Sequence, residues 1–204
     1  DKFIGRKEEL VSLQELYNKK GFQMAVLFFL ILVGKTTLIN KFIEINKCKS
    51  VSFVSTEMTE TELLERMGND VLESLTPNLC GKLKFDSFDS VFDFIAEESS
   101  KERIIFVIDE YPYLAKSCPY MNSLLQKYID GKWNKSNLYF ILLGSLVSFM
   151  KEEVLGTLAP LHGRANREFK INPFDYKDTA LFVPGYNEEE KAIVYGLTGG
   201  VAKY

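Results

Sequence analysis

Two short stretches of the sequence combine residue types that handle phosphate and metal chemistry. The first, Gly34-Lys35-Thr36-Thr37, follows a continuous apolar run and opens a segment with helical hydrophobic spacing. The N-terminus of a helix offers free N–H groups and a positive dipole to a phosphate. In such a loop Lys35 can reach the β- and γ-phosphates, and the hydroxyl of Thr36 can ligate magnesium. The sequence therefore predicts a phosphate-binding loop where a buried strand meets a helix.

The second stretch is an apolar strand that ends in two carboxylates. Ile104 to Ile108 are all apolar, and Asp109 and Glu110 follow them directly. In sites that transfer phosphoryl groups, a first carboxylate holds magnesium and the next can orient or deprotonate the attacking water. A strand that simply ends in solvated acids has the same pattern. Because the Asp-Glu strand lies downstream of Gly-Lys-Thr in the same chain, a nucleotide site is favoured over a strand that ends in solvated acids.

Further polar residues could complete such a site. Ser145 follows the apolar segment Leu138 to Leu143, where it could contact a γ-phosphate or the attacking water, although a Gly-Ser turn explains it equally well. Arg164 and Arg167 lie in a polar loop, and each could neutralise transition-state charge or be a surface residue. His162 is the only histidine, which argues against a metal role and against a Ser–His–Asp arrangement.

Strands and helices alternate along the segments that must position these residues. Apolar runs predict strands over residues 22–33, 51–55, 103–108, 138–143 and 168–171. Amphipathic spacing predicts helices over residues 4–17, 35–46, 59–75, 87–98, 119–129 and 187–197, the third of them opened by a capping box at Thr59. The alternation indicates an α/β fold with a parallel sheet covered on both faces. Its carboxyl edge would then gather Gly34-Lys35, Asp109-Glu110 and Gly144-Ser145.

Composition and charge argue against several classes of protein. The 204 residues are 46% hydrophobic and 26% charged, which is typical of a globular domain. A net charge of −3 predicts no global basic surface for nucleic acid. The apolar run from Ala25 to Val33 is far shorter than the roughly 20 residues that span a bilayer. Three separated cysteines and a charged N-terminal segment predict a cytoplasmic protein without disulfides or a zinc site.

These segments together resemble the prokaryotic P-loop ATPases of the ATPase-2, or archaeal ATPase, group, which belongs to the AAA-like and STAND-like branch. The similarity covers nearly the whole chain. It is carried by an N-terminal box, a Walker A region, a Walker B signature, a sensor strand and a Pro-Leu-x-Gly-Arg segment, at residues 3–10, 33–39, 106–114, 142–145 and 160–164.

The resemblance implies a five-stranded parallel sheet of the RecA/AAA-like kind, with the sensor strand between the Walker A and Walker B strands. It implies ATP and Mg²⁺ as ligands. It implies that Gly34, Lys35, Thr36 and Thr37 form the phosphate loop, and that Thr36 and Asp109 bind magnesium. It places Gly5 and Arg6 near the adenine. It also implies that Glu110 is the hydrolytic base, that Ser145 is a sensor and that Arg164 makes an arginine contact. It also implies an ATPase domain over residues 1–185, the start of a helical or winged-helix region over 186–204, and a further C-terminal domain or protein partner.

The Walker A region departs from the pattern of this family, which leaves more than one function open. Phe29 stands where the motif has its first glycine, and bulky residues follow it up to Gly34. A phosphate nest usually needs a positive φ that only glycine adopts cheaply. The leading hypothesis is a module that hydrolyses Mg-ATP and drives conformational change in an attached domain or partner. The alternatives are a non-catalytic interaction module with the same fold and a DNA-associated ATPase, which the net charge does not support.

Overall fold

The computed structural model describes residues 5–29 and 35–201 and confirms the α/β fold class. Its strands form one sheet in the order β2-β3-β4-β1-β5, and every neighbouring pair is parallel. The strands are β1 (Gln23–Phe29), β2 (Lys49–Val54), β3 (Ile104–Asp109), β4 (Leu138–Gly144) and β5 (Arg167–Ile171). As the family resemblance implied, β4 lies between β3 and β1.

Helices connect the strands, and several of them begin close to the predicted positions. The helices are α1 (Lys7–Tyr17), α2 (Lys35–Asn46), α3 (Glu60–Leu75), α4 (Phe88–Lys101), α5 (Tyr111–Ser117), α6 (Met121–Asp130), α7 (Val147–Phe149), α8 (Tyr176–Phe182) and α9 (Glu188–Thr198). A π-helix, Met150–Val154, continues α7, and 3₁₀ turns occur at Pro77–Leu79 and Trp133–Lys135. The sequence patterns did not predict α5, α7, the π-helix or α8.

Alternating strand residues build a hydrophobic core on each face of the sheet, because successive side chains point to opposite sides. On one face Met24, Val26 and Phe28 pack with apolar side chains of α3, α4, α5 and α6. On the other face Ala25, Leu27 and Phe29 pack with α1 and α2. The sheet is therefore covered on both sides, and ligands can reach it only at its edges.

Several helices begin at capping residues that can be recognised in the sequence. The hydroxyl of Thr59 accepts a hydrogen bond from the backbone N–H of Glu62, whose carboxylate accepts one from the backbone N–H of Thr59. This is the predicted capping box of α3. Asn187 and Glu190 form another capping box at the start of α9. Each box satisfies backbone donors that a helix leaves unpaired in its first turn.

The last two helices pack against each other beyond β5, and they close back on the sheet. The backbone N–H of Phe174 donates to the carbonyl of Gly200 at 2.9 Å, which joins the end of β5 to the end of α9. This helical pair begins at Tyr176, ahead of the predicted domain boundary at residue 185. The division of the chain into two domains stays a prediction.

Within residues 5–29 and 35–201, no helix is long and apolar enough to cross a membrane.

Candidate functional site

The carboxyl ends of β3 and β4 bring Glu110 and Ser145 into direct contact. The hydroxyl of Ser145 donates to Oε2 of Glu110 at 2.6 Å, and the backbone N–H of Ser145 donates to the same oxygen at 3.3 Å. A hydrogen bond to a carboxylate is shorter and stronger than a neutral one. Both side chains are partly exposed, so this contact lies where a ligand at the edge of the sheet can reach it.

Glu110 occupies a backbone conformation that non-glycine residues seldom adopt. Its φ of 53° and ψ of 44° place it in the left-handed region at the N-terminus of α5. Such a conformation costs about 1–2 kcal/mol and persists where the surrounding structure holds it. The turn directs the chain from β3 into α5 within one residue. It leaves the carboxylate at the edge of the sheet.

Asp109 belongs to the face of the sheet that α2 covers. Ile105 and Val107, which precede it at intervals of two residues, pack in the same core as Leu38 and Phe42 of α2. By the alternation of strand side chains, Asp109 projects toward that face. The backbone N–H of Glu110 donates to Oδ1 of Asp109 at 2.8 Å.

The start of α2 follows β1 and therefore lies at the same edge as the two carboxylates. Thr36 and Thr37 are exposed in its first turn. Gly34 and the residues from Leu30 to Val33 lie outside the described part of the chain, and Lys35 is described only as the first residue of the helix.

Phe29, which stands at the position of the missing motif glycine, is the last residue of β1. It is 1% exposed and packs in the core between the sheet and α2. At Phe29 the chain is still a strand, paired in register with Ile171 of β5. This position therefore contributes to the core.

Gly5 and Arg6 precede α1, and both pack against Phe174 beyond β5. A Cβ on Gly5 would lie 2.7 Å from the Phe174 ring, so this close approach excludes a side chain. The Arg6 guanidinium lies 4.3 Å from the centroid of that ring and donates to the carbonyl of Asn172. The turn predicted to lie near an adenine is therefore fixed to the connection between β5 and α8.

A cavity of about 210 Å³ adjoins this turn, between α8 and α9. It is lined mainly by apolar side chains, and its lining residues are Phe174, Thr179, Phe182, Val183, Val194, Thr198, Gly200 and Val201. The hydroxyl oxygens of Thr179 and Thr198 are buried and have no hydrogen-bond partner among the described residues. Both oxygens are shielded from solvent, although the residues that carry them line the cavity.

Arg164 lies at the opposite edge of the sheet, away from Glu110 and Ser145. Its guanidinium donates to both carboxylate oxygens of Asp130, at 2.8 and 2.6 Å, at the C-terminus of α6. These hydrogen bonds lower the pKa of Asp130 below its usual range. Arg164 precedes β5, and the residues before a parallel strand lie at the amino edge. The structure therefore does not bring Arg164 together with the other predicted site residues.

The proximity of several residues at the site could not be predicted from the sequence, because it depends on tertiary contacts. Phe174, Thr179 and Thr198 meet through the packing of two short helices on the end of β5. Asn122 of α6 accepts a hydrogen bond from the hydroxyl of Tyr111, the residue after Glu110. The capping residue Asp175, before α8, is the one sequence signal that could have predicted that helix.

Residues 3–204 match the family model of an ATPase domain found predominantly in Archaea. The chain belongs to this family. An uncharacterized protein of Methanocaldococcus jannaschii is 30% identical over 202 residues, a match that covers 99% of the chain and 43% of that protein. The chain thus spans less than half the length of this relative.

Solved structures with a similar fold include a Walker-type ATPase and ORC proteins in complex with DNA. The match to a Walker-type ATPase of Pyrococcus abyssi covers 98% of this ATPase-family chain and 64% of that protein's chain, with a TM-score of 0.71 and 20% identity. Drosophila ORC bound to DNA matches 88% of the chain and 46% of its own, with a TM-score of 0.66 and 18% identity. The ORC1 protein of Aeropyrum pernix in complex with DNA matches 94% of the chain and 50% of its own, with a TM-score of 0.60 and 16% identity. At these identities the likeness shows the fold, a P-loop ATPase fold.

Proposed function

We propose that this chain is a module that binds Mg-ATP and hydrolyses it slowly, and that hydrolysis drives a conformational change in an attached domain or partner. The observation that carries the proposal is the contact between Glu110 and Ser145 at the carboxyl edge, on the same edge as Asp109 and the start of α2. Membership of an ATPase family supports it.

The residues at this edge suit a magnesium nucleotide better than a metal held by protein alone. Within the described residues, no group of three or more His, Cys, Asp or Glu could hold a metal ion. Mg²⁺ is commonly held by one or two protein oxygens together with substrate phosphates and water. The hydroxyl of Thr36 and the carboxylate of Asp109 are oxygen ligands of that kind, and the bound ion would neutralise charge on the phosphates.

In this proposal each residue at the edge has one task. Gly34, Lys35 and Thr37 bind phosphate with the N-terminus of α2. Glu110 accepts a proton from the attacking water, for which a partly exposed carboxylate at the edge is suited. Ser145 holds the Glu110 carboxylate in place through its hydroxyl and N–H donors.

The cavity between α8 and α9 would take the base of the nucleotide, next to Gly5 and Arg6. Its aromatic and aliphatic side chains suit a planar ring. The cavity lies between the helical pair and the end of β5. Occupation of the base site would therefore change how α8 and α9 pack on the sheet, which is a route to an attached domain.

The comparisons offer DNA as a partner only through the structures of other proteins. Two of the similar structures are complexes with DNA. The net charge of this chain is −3, which favours no nucleic-acid surface within these residues. We therefore propose a nucleotide and a protein segment as its partners.

The proposal is tested by the release of phosphate from ATP with and without magnesium. The purified chain is expected to release phosphate in Mg²⁺, to fall to the rate of protein-free buffer in EDTA, and to recover when Mg²⁺ is restored. Asp109→Asn should show the same defect in Mg²⁺, because an amide is a poorer ligand for a hard cation. Phosphate release that persists in EDTA would contradict the assigned magnesium site.

A further inference from the structure

The segment that carries Ser145 is attached to the segment that carries Glu110 at two separate places. The first is the contact at the site itself, where Ser145 donates to Glu110. The second lies at the other end of the π-helix. There the side-chain amide of Asn122 donates to the carbonyl of Glu153 at 3.1 Å. Its amide oxygen accepts the hydrogen bond from the hydroxyl of Tyr111.

Tyr111 connects this second attachment directly to Glu110, its neighbour in the chain. The Tyr111 side chain is fully buried at the start of α5, and burial raises the pKa of its hydroxyl, which therefore keeps its proton and donates. The ring lies 6.3 Å from the Phe149 ring, measured between centroids. Asn122 thus joins the first turn of α5 to the last turn of the π-helix.

The space between the two attachments is filled, so the two segments cannot slide independently. Gly144, just before Ser145, has no room for a side chain, because an added Cβ would collide with Met150 and lie 3.1 Å from the Pro112 ring. Met150 begins the π-helix, Pro112 belongs to α5, and both are buried. A π-helical turn is rare and often occurs at functional sites. Here it closes a loop that runs from Glu110 through Tyr111, Asn122 and Glu153 back to Ser145.

We infer that Asn122 is a positioning residue for Glu110: by joining Tyr111 to the π-helix it holds the Glu110 carboxylate against Ser145. Asn122 is not among the residues that line the cavity between α8 and α9. It acts through Tyr111 on a residue held in the left-handed region, a conformation that requires support from its surroundings. The effect on hydrolysis rests on the proposed function, whereas the effect on the contact does not.

The contact is tested by amide hydrogen exchange, which requires no nucleotide. In Asn122→Ala, the amide of Ser145 is expected to exchange about tenfold faster, because local opening frees it from Glu110. The amide of Ile141, in the middle of β4, should keep its rate. Ser123→Ala, an exposed neighbour on α6, is the matched control and should change neither amide. Equal acceleration at Ser145 and Ile141, or no acceleration at Ser145, would overturn the inference.

The effect on catalysis is tested by steady-state kinetics with Mg-ATP. A misplaced general base should lower kcat about tenfold or more in Asn122→Ala while KM stays within about twofold, because nucleotide binding does not involve Asn122. Tyr111→Phe removes the other half of the same bond. The double variant should therefore be no slower than the slower single variant.

Unchanged kcat, or additive losses in the double variant, would overturn the positioning role. If the wild-type chain releases no phosphate, the proposed function fails. The ratio of exchange at Ser145 and Ile141 then decides the inference by itself.

Discussion

Glu110→Gln is expected to abolish ATP turnover while leaving nucleotide binding intact. The side-chain amide has the shape of the carboxylate, and its oxygen can still accept the hydrogen bonds that Ser145 donates. It cannot accept a proton from water. Loss of a general base lowers kcat by about 10²- to 10⁴-fold. Phosphate release and calorimetric titration of Mg-ATP measure the two effects separately.

A matched control for this variant is Glu57→Gln. Glu57 is an exposed carboxylate that pairs with Lys116 at 3.0 Å. Its substitution should leave both turnover and affinity unchanged. If Glu110→Gln keeps the wild-type turnover, another group is the base and the assignment to Glu110 is wrong.

Gly200→Ala is expected to destabilise the folded chain strongly. Gly200 has a φ of 75°, and an added Cβ would collide with the backbone carbonyl of Phe174. The left-handed conformation alone costs a non-glycine residue about 1–2 kcal/mol, and overpacking against rigid backbone adds about 1–3 kcal/mol. Urea denaturation should show the combined loss in the free energy of unfolding.

Gly199 provides the control, because it shares the positive φ of Gly200 but not its close approach to Phe174. Gly199 has a φ of 58°, and nothing lies within 4 Å of an added Cβ. Gly199→Ala should therefore lose only the conformational part, about 1–2 kcal/mol. Since Phe174 lines the cavity and packs on Gly5, Gly200→Ala should also weaken Mg-ATP binding more than Gly199→Ala does. Equal losses in the two variants would show that the contact with Phe174 is unimportant.

The sheet could be predicted from the sequence because its strands are encoded locally. Each strand is a short apolar run, and the acidic end of β3 and the Gly-Ser end of β4 mark where the chain leaves the sheet. Parallel strands bring those ends to one edge, so the proximity of Glu110 and Ser145 followed from the topology. The hydrogen bond between them did not, because it depends on the left-handed backbone of Glu110.

Two of the short helices were missed for reasons that are also local. A proline interrupts most helices, yet Pro112 lies in the first turn of α5, where a proline lacks only a hydrogen bond that would be unsatisfied anyway. α8 has seven residues, too few to show a helical period. The cavity between α8 and α9 depends on how these helices meet, which no spacing in the sequence encodes.

The placement of Arg164 could have been anticipated from the topology. It precedes β5, and residues that precede a parallel strand lie at the amino edge, whereas residues that follow it lie at the carboxyl edge. The family resemblance implied an arginine contact for Arg164, and in the structure this arginine pairs with Asp130. The position of Arg164 before β5 therefore indicates the edge of the sheet at which it lies, which the Pro-Leu-x-Gly-Arg motif does not.

The proposed function depends on the phosphate site, because Phe29 stands at the position of the first motif glycine. Phe29 is buried in β1, so this position contributes to the core and supplies no backbone turn to a phosphate. The N-terminus of α2 would then have to hold the phosphates with Lys35 and the two threonines. A non-catalytic module with the same fold is the alternative, and the two hypotheses differ in whether Mg-ATP binds at all.

Calorimetric titration of Mg-ATP into the wild-type chain, with Lys35→Ala as the control, separates these two hypotheses. We expect micromolar binding to the wild type, and we expect Lys35→Ala to lose it because the phosphates lose a direct cationic contact. A ligand at a hundred times its Kd should also stabilise the folded chain by about 2.7 kcal/mol, which thermal unfolding can confirm. Absence of heat and of thermal stabilisation in both proteins would contradict the proposal and leave an interaction module that has kept the fold without the nucleotide.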